Sequence, residues 1–599
     1  MKRRNTRALV ALSLLLFAAH AAPAKDTWTS IKSKNFTVVG NVGESEMRKV
    51  TARLEQFRQA VALLFSGAKI ETRVPTTVVL FKSHASFKPF KPKYKGKTKE
   101  DVGGYFLSGE DSNYIVLTTD TRGATSPYQV IFHEYEHFIL ANNMRRAPAW
   151  LSEGLAEFVS TLETSDNEQK VRLGTPIEYH VYTLRQQSPI PLKTFFDVDR
   201  RSPQYNESDK AGVFYAQSWA LIHYLMLGND GARRPQLTRF ISQLNGELSI
   251  EENFRQSFQA DYGKLESELR GYLKNHAYPV LEFTLEKPLE LSKDAVSTTM
   301  MEAEVEYYMG DLLLRSFRFD EAAERLEKSI ALDEKFAPAR VSLGQVRLYQ
   351  RRPDEAQKVL REAVALDSQS ALAHYHYASA LGAGGKLEEA VASLRQAIAL
   401  KPDLVGAHAD LGRAYRNLRR NEESLAAYNE AIRHAPEEPY LYHSRAYVSL
   451  QLARGNGAVS DAKTYIKLQG WRDDSAPYLA LAAYFGHRQK NRPADAARML
   501  AEAAAKTDPT AAAWPRTIYK YLAGELTADE LLKQSTDKDK LTESHTYIGL
   551  NLSLDGKRAE ALPHLRWVTE QGNRNFVEYP LAVSEVERIE AATVKAATP

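Results

Sequence analysis

The sequence predicts a multidomain protein, with a mixed α+β region followed by an all-α repeat solenoid. Three observations predict it. Short β-branched runs lie in the first half: Asn35–Val42 (NFTVVGNV), Val74–Lys82 (VPTTVVLFK) and Tyr114–Leu117 (YIVL). The second half carries small residues at a fixed 34-residue period. Hydrophobic residues make up 43% and charged residues 26% of 599 positions, which describes a globular chain and not a disordered one.

Residues 1–7 are basic, residues 8–22 are apolar and uncharged, and Ala22-Pro23-Ala24 offers a small-x-small cleavage site, with Ala19-His20-Ala21 as an alternative. This order predicts a signal peptide over residues 1–24 and an exported protein, periplasmic or secreted. No later run approaches the ~20 apolar residues of a membrane helix, so no integral membrane segment is expected once the signal is removed. Lys2, Arg3, Arg4 and Arg7 supply four of the 79 basic residues, leaving 75 against 75 acidic ones from Lys25 onward. The net charge of +4 is therefore the leader's own, and no nucleic-acid partner is expected. Cysteine is absent, which excludes disulfides, thiolate metal sites and a cysteine nucleophile.

Residues 25–280 form the first domain. Glu44–Phe65 has helical spacing between the first two strands, and the pattern from Ser126 to about Asn275 is mostly helical. Residues 88–99 hold six lysines among Pro89, Pro92 and Gly96 and read as a mobile basic loop. Gly103-Gly104 precedes Tyr114–Leu117, read as an edge strand to which a substrate adds as a further strand; the glycine pair reads equally well as an ordinary turn. Residues 281–300, with Pro288 and a Ser/Thr cluster, read as a connector.

Residues 126–143 read SPYQVIFHEYEHFILANN. Ser126 caps a helix that Pro127 opens. His133 and His137 lie one turn apart, about 40° around the helix, so both imidazoles can reach one ion. Glu134 stands beside them, where its carboxylate can take a proton from water. Pro148 to Glu157 (PAWLSEGLAE) starts a second helix. Fifteen residues separate His137 from Glu153. Glu153 completes a His₂Glu set with a fourth position open, and Glu157, on the same face, can hydrogen-bond the outer nitrogen of a ligand histidine. Without cysteine, one Zn²⁺ per chain must sit on nitrogen and oxygen. Tyr215 and His223, on an apolar helical stretch, are candidate oxyanion donors; both also read as ordinary core residues.

HEYEH followed by WLSEGLAEF resembles the gluzincin metallopeptidases, specifically the peptidase MA-like domains of exported bacterial proteins, and is similar to the WLxEGxA element of aminopeptidase N-like enzymes. The resemblance implies a zincin-like fold, zinc on His133, His137 and Glu153, and Glu134 as catalytic base. The Gly-x-Met-Glu-Asn element of the aminopeptidases is not found upstream, which favours an endopeptidase.

Gly310, Gly344, Ala378, Gly412 and Ala446 recur 34 residues apart. Twelve residues after the first four come Ala322, Ala356, Ala390 and Ser424, and seven further Ser329, Ala363, Ala397 and Ala431. Small residues at these offsets let two antiparallel helices approach closely. The pattern resembles the tetratricopeptide repeat over residues 301–450. Residues 451–585 read as degenerate helical repeats, in which Gly549, Ala561 and Leu565 restore the offsets, and residues 586–599 read as a tail. A solenoid leaves a concave face for a protein partner.

The leading expectation is an exported zinc peptidase that cleaves a peptide or protein substrate, with repeats recruiting substrate or partner. The alternative is a catalytically silent metallopeptidase-like protein acting as an envelope interaction scaffold. A hydrolase of a non-peptide bond is the third.

Overall fold

The run Thr76–Phe81 is buried along its whole length, as a central strand covered on both faces must be. In the computed structural model it is β3 of a six-stranded sheet built from β1 (Thr29–Lys32), β2 (Phe36–Gly40), β3, β4 (Gly104–Leu107), β5 (Asn113–Thr118) and β6 (Val296–Thr299). The order is β6-β1-β2-β3-β5-β4. The pairs β2–β3 and β3–β5 are parallel, and the other three are antiparallel. The structure describes residues 26–64, 74–94, 97–99, 102–109, 111–120, 127–144, 147–165, 169–199, 202–206, 208–244, 248–275, 277–284, 296–471, 473–507 and 513–597. The expected signal peptide, the cap at Ser126, Gly96 and Pro288 lie outside them.

The three expected strands and the helix between the first two, α1 (Glu44–Leu64), form where the sequence puts them. The edge assignment changes. β5, expected at the edge, is paired on both sides, and β4 is the edge strand. An antiparallel partner needs only a short return loop, so the more apolar YIVL run is the inner strand.

Successive side chains of a strand point to opposite faces, and here each face has its own core. Val38, Val78, Leu80, Ile115 and Leu117 join α1 and the helices beyond residue 127. Val39, Val79, Phe81, Tyr114 and Val116 pack instead on Met309, Leu312, Leu313, Ala322 and Leu326, which belong to the first repeat. The solenoid therefore covers the second face of the sheet.

The stretch expected as a connector also contributes structure. Leu281–Thr284 pairs with Lys170–Leu173, and Val296–Thr299 is β6. Edge strands tolerate the polar residues that made this segment read as a linker. The lysine segment is likewise not a free basic loop. Lys91 is buried, Lys93–Tyr94 pairs with Lys97–Thr98, and Lys93 reaches Glu321 of the first repeat at 3.0 Å.

From residue 302 the chain is a stack of antiparallel helix pairs. The small residues act as expected. A Cβ on Gly310 would stand 2.7 Å from Leu326, one on Gly412 2.9 Å from Tyr428, and one on Gly549 2.6 Å from Leu565. The turn between paired helices places Phe317, Arg351, Gly385, Arg419 and Ala453 at positive φ, again 34 residues apart. Only one of these is glycine. The expected tail belongs to the last helix, Glu578–Ala597, which packs back on the stack through Arg588, a donor to the Gln451 carbonyl at 2.7 Å.

First helices of successive repeats touch one another more closely than second helices do, so the first helices line the inner, concave side. There the expected partner is, for the first three repeats, the chain itself. Asp111, in the β4–β5 loop, meets Arg315 at 2.6 Å, His376 at 3.2 Å and Gln345 at 3.3 Å. Tyr114 and Ser342 both donate to Asp311 at 2.7 Å. Burial opposes the Asp111 charge, but His376 and Arg315 outweigh it and hold its carboxyl well below the ordinary range.

Candidate metal centre

The motif helix α2 spans Pro127–Asn143 and starts at the expected proline. The next helix, α3 (Ala149–Ser160), is buried almost throughout. It lies against α5 (Ser208–Leu227), with α4 (Glu178–Gln186) between them in sequence. Gly154 permits the approach of α3 to α5, because a Cβ there would collide with the Ser218 carbonyl. This packing drives Glu153, 2% exposed, toward the histidines of α2.

His133 Nε2 and His137 Nε2 stand 3.1 Å apart, and Glu153 Oε2 lies 3.5 Å from the first and 3.3 Å from the second. Ligand atoms about 2.0–2.1 Å from a tetrahedral zinc lie about 3.3 Å from one another. The three atoms thus form one face of such a tetrahedron, with the fourth vertex free.

The outer atoms are held. Ser152 Oγ lies 3.1 Å from His137 Nδ1, and Glu157 Oε1 3.6 Å from His133 Nδ1. Glu157 also meets His180 Nε2, from α4, at 3.2 Å. Tyr205 donates to Glu153 Oε1 at 2.8 Å. Glu153 Oε2 is left buried without a hydrogen-bond partner. With protons on the outer nitrogens, two imidazole lone pairs and a carboxylate oxygen converge on one point, an arrangement that a cation satisfies.

The charges respond accordingly. For His133, burial opposes protonation, but Glu153, Glu157 and Glu134 outweigh it and push the imidazole up to about 9. Burial likewise opposes the Glu153 and Glu157 charges, yet the histidines hold both carboxyls low. Glu134 moves the other way: burial raises it, against the pull of His133 and His137. The backbone amide of Phe106, on the edge strand β4, faces the Glu134 carboxylate and pulls it slightly down, less than burial raises it.

The structure brings His133, Glu134, His137, Glu153 and Glu157 together. Tyr215 stands next to Tyr205, ring centres 6.0 Å apart, and burial followed by the Glu153 charge raises its hydroxyl far above the usual range. His223 is a core residue and not a site residue. It is fully buried, its Nδ1 accepts from the Tyr272 hydroxyl at 2.7 Å, its Nε2 donates to the Gly174 carbonyl at 2.8 Å, and burial lowers it to about 4. Three residues were not found in the sequence. Ser152, beside Glu153, had a local signal; Tyr205 and His180 had none, because separate elements supply them.

A cleft of about 1910 Å³ opens beside His137 and Ser152. Its far wall is the solenoid, including Lys463, Lys467, Trp471 and Lys506. Among the described residues no helix is long and apolar enough to cross a membrane.

Residues 341–405 and 405–438 match families described as tetratricopeptide repeat, so the C-terminal region is a tetratricopeptide-repeat solenoid of a kind suited to protein–protein interaction. Residues 128–245, which contain α3, α4, α5 and nearly all of α2, match the family described as "Protein of unknown function (DUF1570)". Among solved structures, Pseudomonas aeruginosa pilF is similar at 18% identity over 34% of this chain and 91% of that one, with a TM-score of 0.30. MamA is similar at 25% identity over 27% of this chain and 94% of that one, with a TM-score of 0.25. YrrB, titled a TPR protein with an unusual peptide-binding site, is similar at 17% identity over 28% of this chain and 86% of that one, with a TM-score of 0.25. No curated protein matches the chain.

Proposed function

We propose that the N-terminal region is a gluzincin-like zinc hydrolase of peptide bonds, exported through its leader and joined to a repeat scaffold that holds its substrate or partner. The observation that carries this is the triangle of His133 Nε2, His137 Nε2 and Glu153 Oε2 beside Glu134. The zinc ion would be held by these three residues and would supply carbonyl polarisation and a more acidic water.

The chain's own residues do the rest. Ser152, Glu157 and Tyr205 fix the tautomers and aim of the three ligand side chains. Glu134, raised by burial, takes the proton of the attacking water and passes it to the leaving amine. Among the described residues β4 pairs only with β5, so its other edge can take an extended peptide by backbone hydrogen bonds, next to Glu134. The cleft exceeds the 300–1,000 Å³ usual for small-molecule sites, which suits a polypeptide. Tyr215 is the candidate donor to the developing oxyanion, in reach through Tyr205.

The second reading, a scaffold without turnover, is favoured by the matches. They identify the repeats, and the family over the site has no assigned function. One experiment separates the two. Purified mature protein should bind one zinc, lose it in His133→Ala, and cleave members of a peptide library in a way that Glu134→Gln abolishes with zinc retained. Zinc bound but no peptide cleaved leaves the scaffold reading, and no zinc at saturation defeats the site.

A further inference from the structure

We propose a second binding site, for a small oxyanion-bearing ligand, where the last helix closes on the solenoid. The cavity there measures about 330 Å³, within the range of small-molecule pockets. Arg416, Arg419, Asn421, Gln451, Arg574 and Tyr579 contribute to its lining, and no carboxylate does. Segments far apart in the chain build it: the turn between the helices Val405–Asn417 and Asn421–His434, the end of the helix Pro439–Gln451, and the approach to the helix Glu578–Ala597.

The lining holds three guanidiniums and no anionic acceptor, and two of its buried polar atoms left without a partner are donors. Arg419 is neutralised by Glu587 at 2.6 Å. Arg416 has no ion pair within the described residues, and its Nε is buried without a partner. Arg574 has no ion pair among the described residues and stands over the face of Tyr579, 5.9 Å from the ring centre. Gln451 is 6% exposed, and its Nε2 is also buried without a partner. A buried donor left unmade costs the protein its desolvation, and two guanidiniums facing one cavity repel. Asn421, whose Oδ1 lacks a partner, can turn its amide to donate. One carboxylate or phosphate group answers all of these, and guanidinium forks bind either in bidentate fashion. Tyr579 offers a ring edge for the ligand's apolar body. Occupancy would tie the last helix to the middle of the solenoid.

The site is independent of the proposed hydrolase, and its test uses the full mature chain in a His133→Ala background, so that no response comes from the metal centre. Thermal unfolding is followed against inorganic phosphate, succinate and, at matched ionic strength, chloride. The expected result is a saturable rise in Tm with phosphate or succinate, whichever carries the preferred group, and none with chloride. Arg574→Gln, an exposed change that leaves folding intact, should weaken the apparent affinity at least tenfold, and Arg416→Gln should abolish the response. A rise that is equal in both variants, or no saturable rise with either anion, overturns the proposal.

Discussion

Asp111 and Arg315 meet at 2.6 Å across the junction between the sheet region and the first repeat. Both are largely buried, and Asp311 shares the arginine at 3.3 Å. The β4–β5 loop that carries Asp111 leads directly from the edge strand beside Glu134. The concave side of the first three repeats thus grips the same hairpin that borders the candidate site.

Asp111→Ala leaves the Arg315 charge buried with only Asp311 beside it. Removing one partner of a buried pair costs about 3–5 kcal/mol, and the remaining aspartate places this case near about 3 kcal/mol. Urea denaturation should show the loss as a lower midpoint.

The same carboxylate sets an acid dependence. Its folded-state pKa is depressed, so its contribution is fully present above the ordinary aspartate range and fades as pH falls through that range toward the folded value. The difference in stability between wild type and Asp111→Asn should be fully present at about pH 5 and shrink below about pH 4. A difference that disappears already near pH 6 would assign the effect to another group.

Tyr205→Phe removes the hydroxyl that occupies Glu153 Oε1 and frees that ligand to rotate. Loss of such a support costs 10–100-fold in metal affinity. Competition with a zinc chelator should show this drop for Tyr205→Phe and for Ser152→Ala. His223→Gln, in the core and outside the site, should leave zinc affinity unchanged whatever it does to stability.

Two substitutions in one repeat should act with opposite signs. Gly344→Ala would improve helix propensity by ~1 kcal/mol on an open helix. Here the new methyl falls on the Leu360 side chain, and overpacking of about 1–3 kcal/mol outweighs the gain. Arg351→Gly relieves a left-handed residue at an exposed turn (φ 59°) and should raise stability by up to about 1 kcal/mol. Thermal unfolding of the full chain reads both.

Much of the site was legible because helix geometry is local. Four residues make one turn, so His133 and His137 share a face in any helix that contains them. Glu153 needed one more step, the packing of α3, and Gly154 beside it carried that signal in its lack of a side chain. The edge strand was misplaced because a short apolar run shows burial but not which neighbours provide it. The repeats were legible for the same reason as the histidines: an offset of 12 or 34 positions repeats the same local contact. The last helix was missed because its partners lie in the middle of the solenoid.

The sequence by itself determined the two architectures, the helix pairs and the facing histidines with Glu134, since each follows from periodicity within a few turns of chain. Only the tertiary structure decided that Ser152, Tyr205 and His180 hold the candidate ligands and Glu157, that β4 is the free edge, and that the first repeats are occupied by the chain's own sheet. Those relationships join residues as far apart as Asp111 and His376, and no local spacing encodes a contact that chain folding alone brings together.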